Sequence, residues 1–149
     1  MVTTSANDQY PRPTATPKHG IVLDYCQVIT VNGMIIESSK EYGLVLLSGT
    51  SLCEFNQCGI ESNQGGGVWM GNGSHLNSLN GCWFEANHAS SNWVWIEAGS
   101  YQNDLNRVKM EKDYATNVSG TPRGYFRIDG AYNEVRKSRL GYGVITGTR

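Results

Sequence analysis

The chain has 149 residues, 17% of them charged, and a formal net charge of −1. That length is one domain, and so small a charge creates no field to draw in nucleic acid or an anionic membrane. No apolar run reaches the ~20 residues that cross a bilayer as a helix, no basic-then-apolar leader opens the sequence, and four Cys and three His without ligand spacing predict neither metal nor cofactor.

Residues 1–19 are rich in Thr and Ser, carry Pro11, Pro13 and Pro17, and show no apolar period. They predict an extended arm or linker ahead of a single domain over 20–149. From Gly20 onward, short segments alternate with longer ones. The short ones are 20–23, 43–46, 67–70, 92–96, 124–128 and 143–145. The longer ones are 27–37, 51–61, 75–85, 101–111 and 131–141, with starts 24, 24, 26 and 30 residues apart. Both kinds alternate apolar and polar residues and are bounded by Gly, Asn and Ser, which predicts strands. No segment sustains a 3.6-residue period, so essentially no helix is expected.

The five longer segments superpose. Their sixth position is Asn32, Asn56, Asn80 and Asn106 in the first four copies, and their eleventh is Glu37, Glu61, Glu85 and Glu111. The eighth holds Cys58 and Cys82 in consecutive copies, predicted to be stacked buried thiols. Apolar residues fill the fifth position (Val31, Phe55, Leu79, Leu105, Val135) and the tenth (Ile36, Ile60, Phe84, Met110, Leu140). A unit repeated at this length stacks on its own copies along an axis. Identity repeated position by position favours parallel strands, which set like residues ~4.8 Å apart. An Asn file suits a bend, because Asn tolerates the left-handed conformation. Each amide can also donate to one neighbour and accept from the other, so buried polar groups would satisfy each other.

With this Asn ladder at a turn, residues 20–149 resemble a right-handed parallel β-helix of the pectate-lyase-like superfamily. The Gly-rich, Trp-containing rungs and the Pro/Thr leader are most similar to a bacteriophage tailspike or appendage protein. The expected fold is therefore all-β, a right-handed single-stranded parallel β-helix of about five to six coils with an extended N-terminal arm. The fifth copy has lost the Asn and Glu (Arg136 and Gly141 stand there), so the end coil calls for a cover. The resemblance implies a homotrimer.

Two outward files are candidates for function. Glu61, Glu85 and Glu111, with Glu37, would form a carboxylate row at ~4.8 Å steps, where like charges raise one another's pKa. Adjacent and alternate members would span the ~5–5.5 Å and ~6.5–9.5 Å separations of retaining and inverting glycosidases. The same row also reads as a solvated or intersubunit face offset by bases such as Lys40, Arg107 and Lys109. On the short strands, Val45, Trp69, Trp95 and Arg127 are expected to face outward, and Trp83 with them. Exposed indoles bind sugar rings or bury against a sister chain. Trp93 is left open, because its segment carries an extra residue.

These features lead to the expectation of a non-catalytic virion component, structural and in contact with host surface polysaccharide, assembled as a trimer in the host cytoplasm. The N-terminal arm would join other virion proteins. The alternative is a polysaccharide depolymerase, a hydrolase or lyase, carried by the Glu row and the Trp stripe. A cellular carbohydrate-active β-helix is a third reading, against which the missing leader counts.

Overall fold

The computed structural model describes residues 16–88, 92–110, 125–139 and 142–147. A first turn of chain contains β1 (Ile21–Leu23), β2 (Thr30–Asn32) and β3 (Ile35–Glu37). A second contains β4 (Tyr42–Leu46), β5 (Glu54–Asn56) and β6 (Gly59–Glu61). A third contains β7 (Gly66–Met70), β8 (Ser78–Asn80) and β9 (Trp83–Glu85). A fourth contains β10 (Asn92–Ile96), β11 (Asp104–Asn106) and β12 (Lys109–Met110). Then come β13 (Tyr125–Ile128), β14 (Glu134–Arg136) and β15 (Tyr142–Ile145). No helix occurs among the described residues.

Like strands stack into three sheets, ordered β1-β4-β7-β10-β13-β15, β2-β5-β8-β11-β14 and β3-β6-β9-β12. Pairing is parallel throughout, with Asn32 on Asn56 on Asn80 on Asn106 in one file. The chain is thus a parallel β-solenoid. The first sheet has the expected six strands, but only four turns are complete. In the fifth, the third side is represented among the described residues by a single bridge between Lys109 and Arg139. That is the copy in which the sequence had lost its Asn and Glu.

Each longer segment, read from sequence as one strand, is two strands separated by a sharp corner. The corner residues fall five apart and take left-handed backbone. They are Val28, Gly33 and Ser38 in the first copy, Leu52, Gln57 and Ser62 in the second, and Leu76, Gly81 and Ala86 in the third. Gln102 and Arg107, then Tyr132 and Lys137, continue the files. A left-handed residue between two extended triplets turns the chain without a long loop. The conformation costs a non-glycine residue roughly 1–2 kcal/mol, so the stack has to compensate it.

From the second coil on, the residue after a corner points toward the core, and at every described corner but that of Arg107, where buried Val108 follows, its side chain provides that compensation. In one file Asn77, Asn103 and Asn133 follow corners. Asn77 Nδ2 donates to Thr50 O at 3.1 Å and to Asn103 Oδ1 at 3.1 Å. Asn103 and Asn133 donate likewise to the Ser74 and Ser100 carbonyls. Each Oδ1 also accepts the backbone N–H one coil below, as Asn77 does from Cys53 at 3.1 Å. Asn63 and Asn87 repeat this at the third corner, donating to Ile36 O and Ile60 O. At the middle corner the slot holds Cys58, Cys82 and Ser138, which donate to Val31, Phe55 and Leu105 carbonyls. A slot side chain therefore reaches the carbonyl three positions earlier on the preceding coil. Buried corner amides and carbonyls are thereby satisfied, as burial demands.

The Asn32 file differs from expectation. Its members precede the left-handed residue rather than occupying it. Their amides do bond in series, Asn56 to Asn32 and Asn80 to Asn56 at 3.0 Å and Asn106 to Asn80 at 3.5 Å. They lie on the outside, however, from half-buried to exposed. The polar ladder that seals the core is instead made of Asn63, Asn77, Asn87 and Asn103, all buried.

Inside run files of Leu46, Met70 and Ile96, of Phe55, Leu79 and Leu105, and of Ile60 and Phe84, all fully buried. Gly43 and Gly67 face this core. A methyl at Gly67 would lie 2.5 Å from the Phe84 ring, so the large ring occupies the space that glycine leaves. One coil on, Trp93 sits at the register irregularity between Asn92 and Val94 and is fully buried. The extra residue is thus accommodated as a bulge that sends an indole inward.

Residues 17 and 18, assigned from sequence to the arm, already belong to the wall. Their carbonyls accept the Lys40 and Glu41 amides at 3.0 and 2.8 Å. The rest of the arm, 1–15, falls outside the described residues.

Asn77→Ala should cost about 1–3 kcal/mol, because it strips partners from a buried carbonyl and a buried N–H. Asn56→Ala, on the outer ladder, should cost less than about 1 kcal/mol. Urea titration of the two variants checks the ranking, which reverses if the outer file holds the stack together.

Candidate functional site

The outer face of the first sheet carries one continuous file: Val22, Val45, Trp69, Trp95, Arg127 and Val144. The register brings Trp69 and Trp95 together as expected from the repeat. Their rings stack with centroids 5.7 Å apart and planes 14° apart. Tyr42 covers the far side of Trp69 at 6.0 Å, and the Arg127 guanidinium lies 5.9 Å over Trp95. The ring faces are therefore spent on neighbours along the axis, and both indoles are half-buried. Such contacts contribute roughly 0.5–1.5 kcal/mol each. Val45 departs from expectation: it belongs to the outward file yet is only 1% exposed.

Asp129, just beyond β13, ties this file together. Its carboxylate accepts from Arg127 Nε at 2.6 Å, Thr146 Oγ1 at 2.6 Å and Trp95 Nε1 at 3.4 Å. Burial works to raise its pKa, but the bonds from Thr146, Trp95 and Arg127 outweigh it and hold the group below the usual Asp range. Sequence reasoning missed Asp129, because nothing marks a lone Asp after a strand until the coils are stacked.

The carboxylates form a second file on another side. Glu37, Glu61 and Glu85 stand in register on β3, β6 and β9. Partial burial, then the flanking charges of Glu37 and Glu85, push the Glu61 carboxyl up from its ordinary value. Glu111, the fourth candidate, falls outside the described residues. Trp83 lies on the same sheet as this row, two residues before Glu85, and apart from the Trp69–Trp95 stack. Its indole folds over Gly59, where a methyl would come within 2.7 Å of the ring.

Cys58 and Cys82 are free and fully buried. Contact with the Cys58 thiol, then burial, hold the Cys82 thiol well above the usual range. Among the described residues no His, Cys, Asp and Glu group is arranged to hold a metal ion. On another edge His75 stacks on Tyr101, centroids 4.8 Å apart and planes 7° apart. Nor was this pair foreseen, since the first repeat position carries a different residue in every copy.

A family model described as a right-handed β-helix region matches residues 19–147. The chain belongs to the right-handed β-helix family. No curated protein and no solved structure matches it. In this β-helix, then, two side-chain files stand out on the wall: an aromatic stack closed by Arg127 and Asp129, and a carboxylate row flanked by Trp83.

The two files should respond to pH with opposite sign. Glu61 binds its proton more tightly folded than unfolded, so its penalty is present at neutral pH and disappears as pH falls through its raised pKa. Glu61→Gln should therefore raise Tm at pH 7 and leave it unchanged below about pH 4. Asp129 has a depressed folded pKa, so its contribution is present above the ordinary Asp value and lost as pH falls through the lower folded one. Asp129→Asn should lower Tm at pH 7, with the difference closing in strong acid. Thermal melts from pH 2 to 8 check both, and parallel slopes for the two variants would contradict the assignment.

Proposed function

We propose that this chain is a non-catalytic shaft segment of a tailspike-like bacteriophage appendage, assembled side by side as a homotrimer. One observation carries the reading. A file of apolar corner residues runs up the outside of the coil: Val28, Leu52, Leu76 and Tyr132 are between 44% and 71% exposed. All four hold left-handed backbone, and Gln102 is the one polar member of their file. Glycine or Asn would relieve that strain and keep the surface polar. Large apolar side chains kept there, coil after coil, suit burial against a parallel sister chain. The absence of a metal cluster among the described residues is neutral on this point; the stacked Trp faces favour rigidity over ring-face sugar binding.

In this reading the stack supplies stiffness, and the segment before Gly20 joins the shaft to other virion proteins. Host surface polysaccharide would meet the indole edges of Trp69 and Trp95 and the Arg127 side chain. A second reading, polysaccharide cleavage, is favoured by the Glu37–Glu61–Glu85 row with its raised Glu61 and the adjacent Trp83. It would use one protonated and one ionised carboxyl, as paired-carboxylate hydrolysis requires.

Light scattering should give three times the 16.4 kDa chain mass. Leu52→Arg should dissociate the assembly while retaining the β-rich spectrum, and a monomeric parent would end the lateral reading. Capsular polysaccharide incubated with the protein should yield no new reducing ends or unsaturated uronic acid. Turnover abolished by Glu61→Gln or Glu85→Gln would favour the depolymerase instead.

A further inference from the structure

The corner between the first and second sheets is not the same in every coil. Ile96 pairs with Ile128 and Tyr101 with Ala131, so residues 97–100 round that corner in the fourth coil and only 129–130 in the fifth. The second and third coils use four residues as well, 47–50 and 71–74. Each longer turn contains a left-handed glycine, Gly49, Gly73 or Gly99. These glycines stack: Gly49 N donates to Gly73 O at 3.3 Å, and Gly73 N to Gly99 O at 3.1 Å. By the same repeat Gly99 N–H points toward the fifth coil, where the shortened turn supplies no matching carbonyl. It has no acceptor among the described residues, and neither has Ala98 N–H. Both residues are exposed. Gly130, by contrast, is buried, and a methyl there would clash with Ser100 O, so the short turn is drawn in against the wall.

A ring face is open at the same step. His75 stacks on one face of Tyr101, and the file then continues to Ala131, whose methyl leaves the next ring-sized level empty. Tyr101 is 39% exposed. Trp95 differs, with Trp69 on one face and Arg127 on the other. The Tyr101 ring and the Ala98–Gly99 turn thus overhang a notch one coil step high, ~4.8 Å, backed by Gly130 and Ala131. It opens sideways from the stack, between the fourth and fifth coils.

We propose that this notch binds one uncharged pyranose ring of a polysaccharide. The C–H face of the sugar lies on the open face of Tyr101, whose π electrons attract it. Its hydroxyl oxygens accept from the Ala98 and Gly99 N–H groups. Charge selects against an acidic sugar: Glu97 and Glu134 flank the notch in the sequence of these two coils, while Arg127 and Arg136 are each held by a carboxylate. An apolar side chain of a sister chain would use the ring face but leave both N–H groups without a partner, which is unfavourable once water is excluded. Only the ligand class, a surface polysaccharide, rests on the function proposed above; the place is a corner of the coil rather than the indole edges.

Protein NMR with the methyl glycosides of glucose, galactose and mannose tests this. About 50 mM glycoside fills a millimolar site, and at least one of the three should shift the Ala98 and Gly99 amide signals more than any others. The corresponding uronic acid glycoside should bind several-fold more weakly, because its carboxylate meets like charge. Tyr101→Ala should weaken binding about tenfold. Ala131→Phe puts a ring into the empty level; it should abolish binding while Tm holds or rises, which separates loss of the site from loss of the fold. Unshifted Ala98 and Gly99 signals with all three glycosides, or binding unaltered by Ala131→Phe, overturn the inference. A uronic glycoside bound as tightly overturns the choice of an uncharged ring. Shifts confined to Trp95 Nε1–H and the Arg127 side chain overturn the notch and leave the indole-edge contact standing. No shift anywhere overturns both sugar contacts, and the trimer is then judged by its mass alone. A mass that falls in Tyr101→Ala gives the ring to a sister chain and overturns the notch as well.

Discussion

The left-handed corner and the side chain that follows it hold the rest of the molecule in place. A bend after each extended triplet rolls the strands into a tube, and every bend strains a residue that is seldom glycine. The strain persists because, at all described bends after the first coil except the one before Val108, an inward Asn, Cys or Ser bonds to the coil before it, and the Asn and Ser side chains also receive an amide from that coil. The same contact fixes register. If one coil slipped by a residue, Asn77 would lose Thr50 and Asn103 together, and every apolar file would turn outward with it.

Once register is fixed, side chains are arranged by file rather than by neighbourhood in sequence. Inside, this lets size be shared between coils: glycine at 67 makes room for Phe84, and the bulge at 93 admits an indole. Outside, it makes chemistry collective. Three carboxylates gather on one side because each copy contributes one, and the middle member carries the electrostatic consequence. Two indoles gather on another side and shield each other, so an aromatic stripe that looks like a ligand platform in sequence becomes part of the wall. Among the described residues, the terminal members of each file have a stacking partner on one side alone.

Much of this was legible beforehand. Asn32, Asn56 and Asn80 repeat at one position, and so do Cys58 and Cys82, and those repeats sufficed to predict parallel stacking and register. The corners were less legible, because five-residue spacing is hidden inside an eleven-residue strand-like pattern. Val28, Leu52 and Tyr132 are poor candidates for left-handed backbone by type, so local propensity pointed away from them. The sealing ladder was overlooked for a related reason. Asn77, Asn103 and Asn133 recur at the third position, but Cys53 and Ile29 precede them there, and the conspicuous Asn32 file drew attention to the outside.

The amino-acid order alone determined that the chain coils in parallel, which residues share a file, and that carboxylates and indoles line up on its wall. These follow from periodicity, because a repeated unit placed on itself superposes like on like. Tertiary structure decided the number of sides per coil, the inward turn of Trp93 at its bulge, and the closing of the Trp faces on each other. It also decided that Asp129 would join three coils. Those outcomes depend on backbone angles at the corners and on distances between residues about 24 to 34 positions apart, and one-dimensional spacing contains neither.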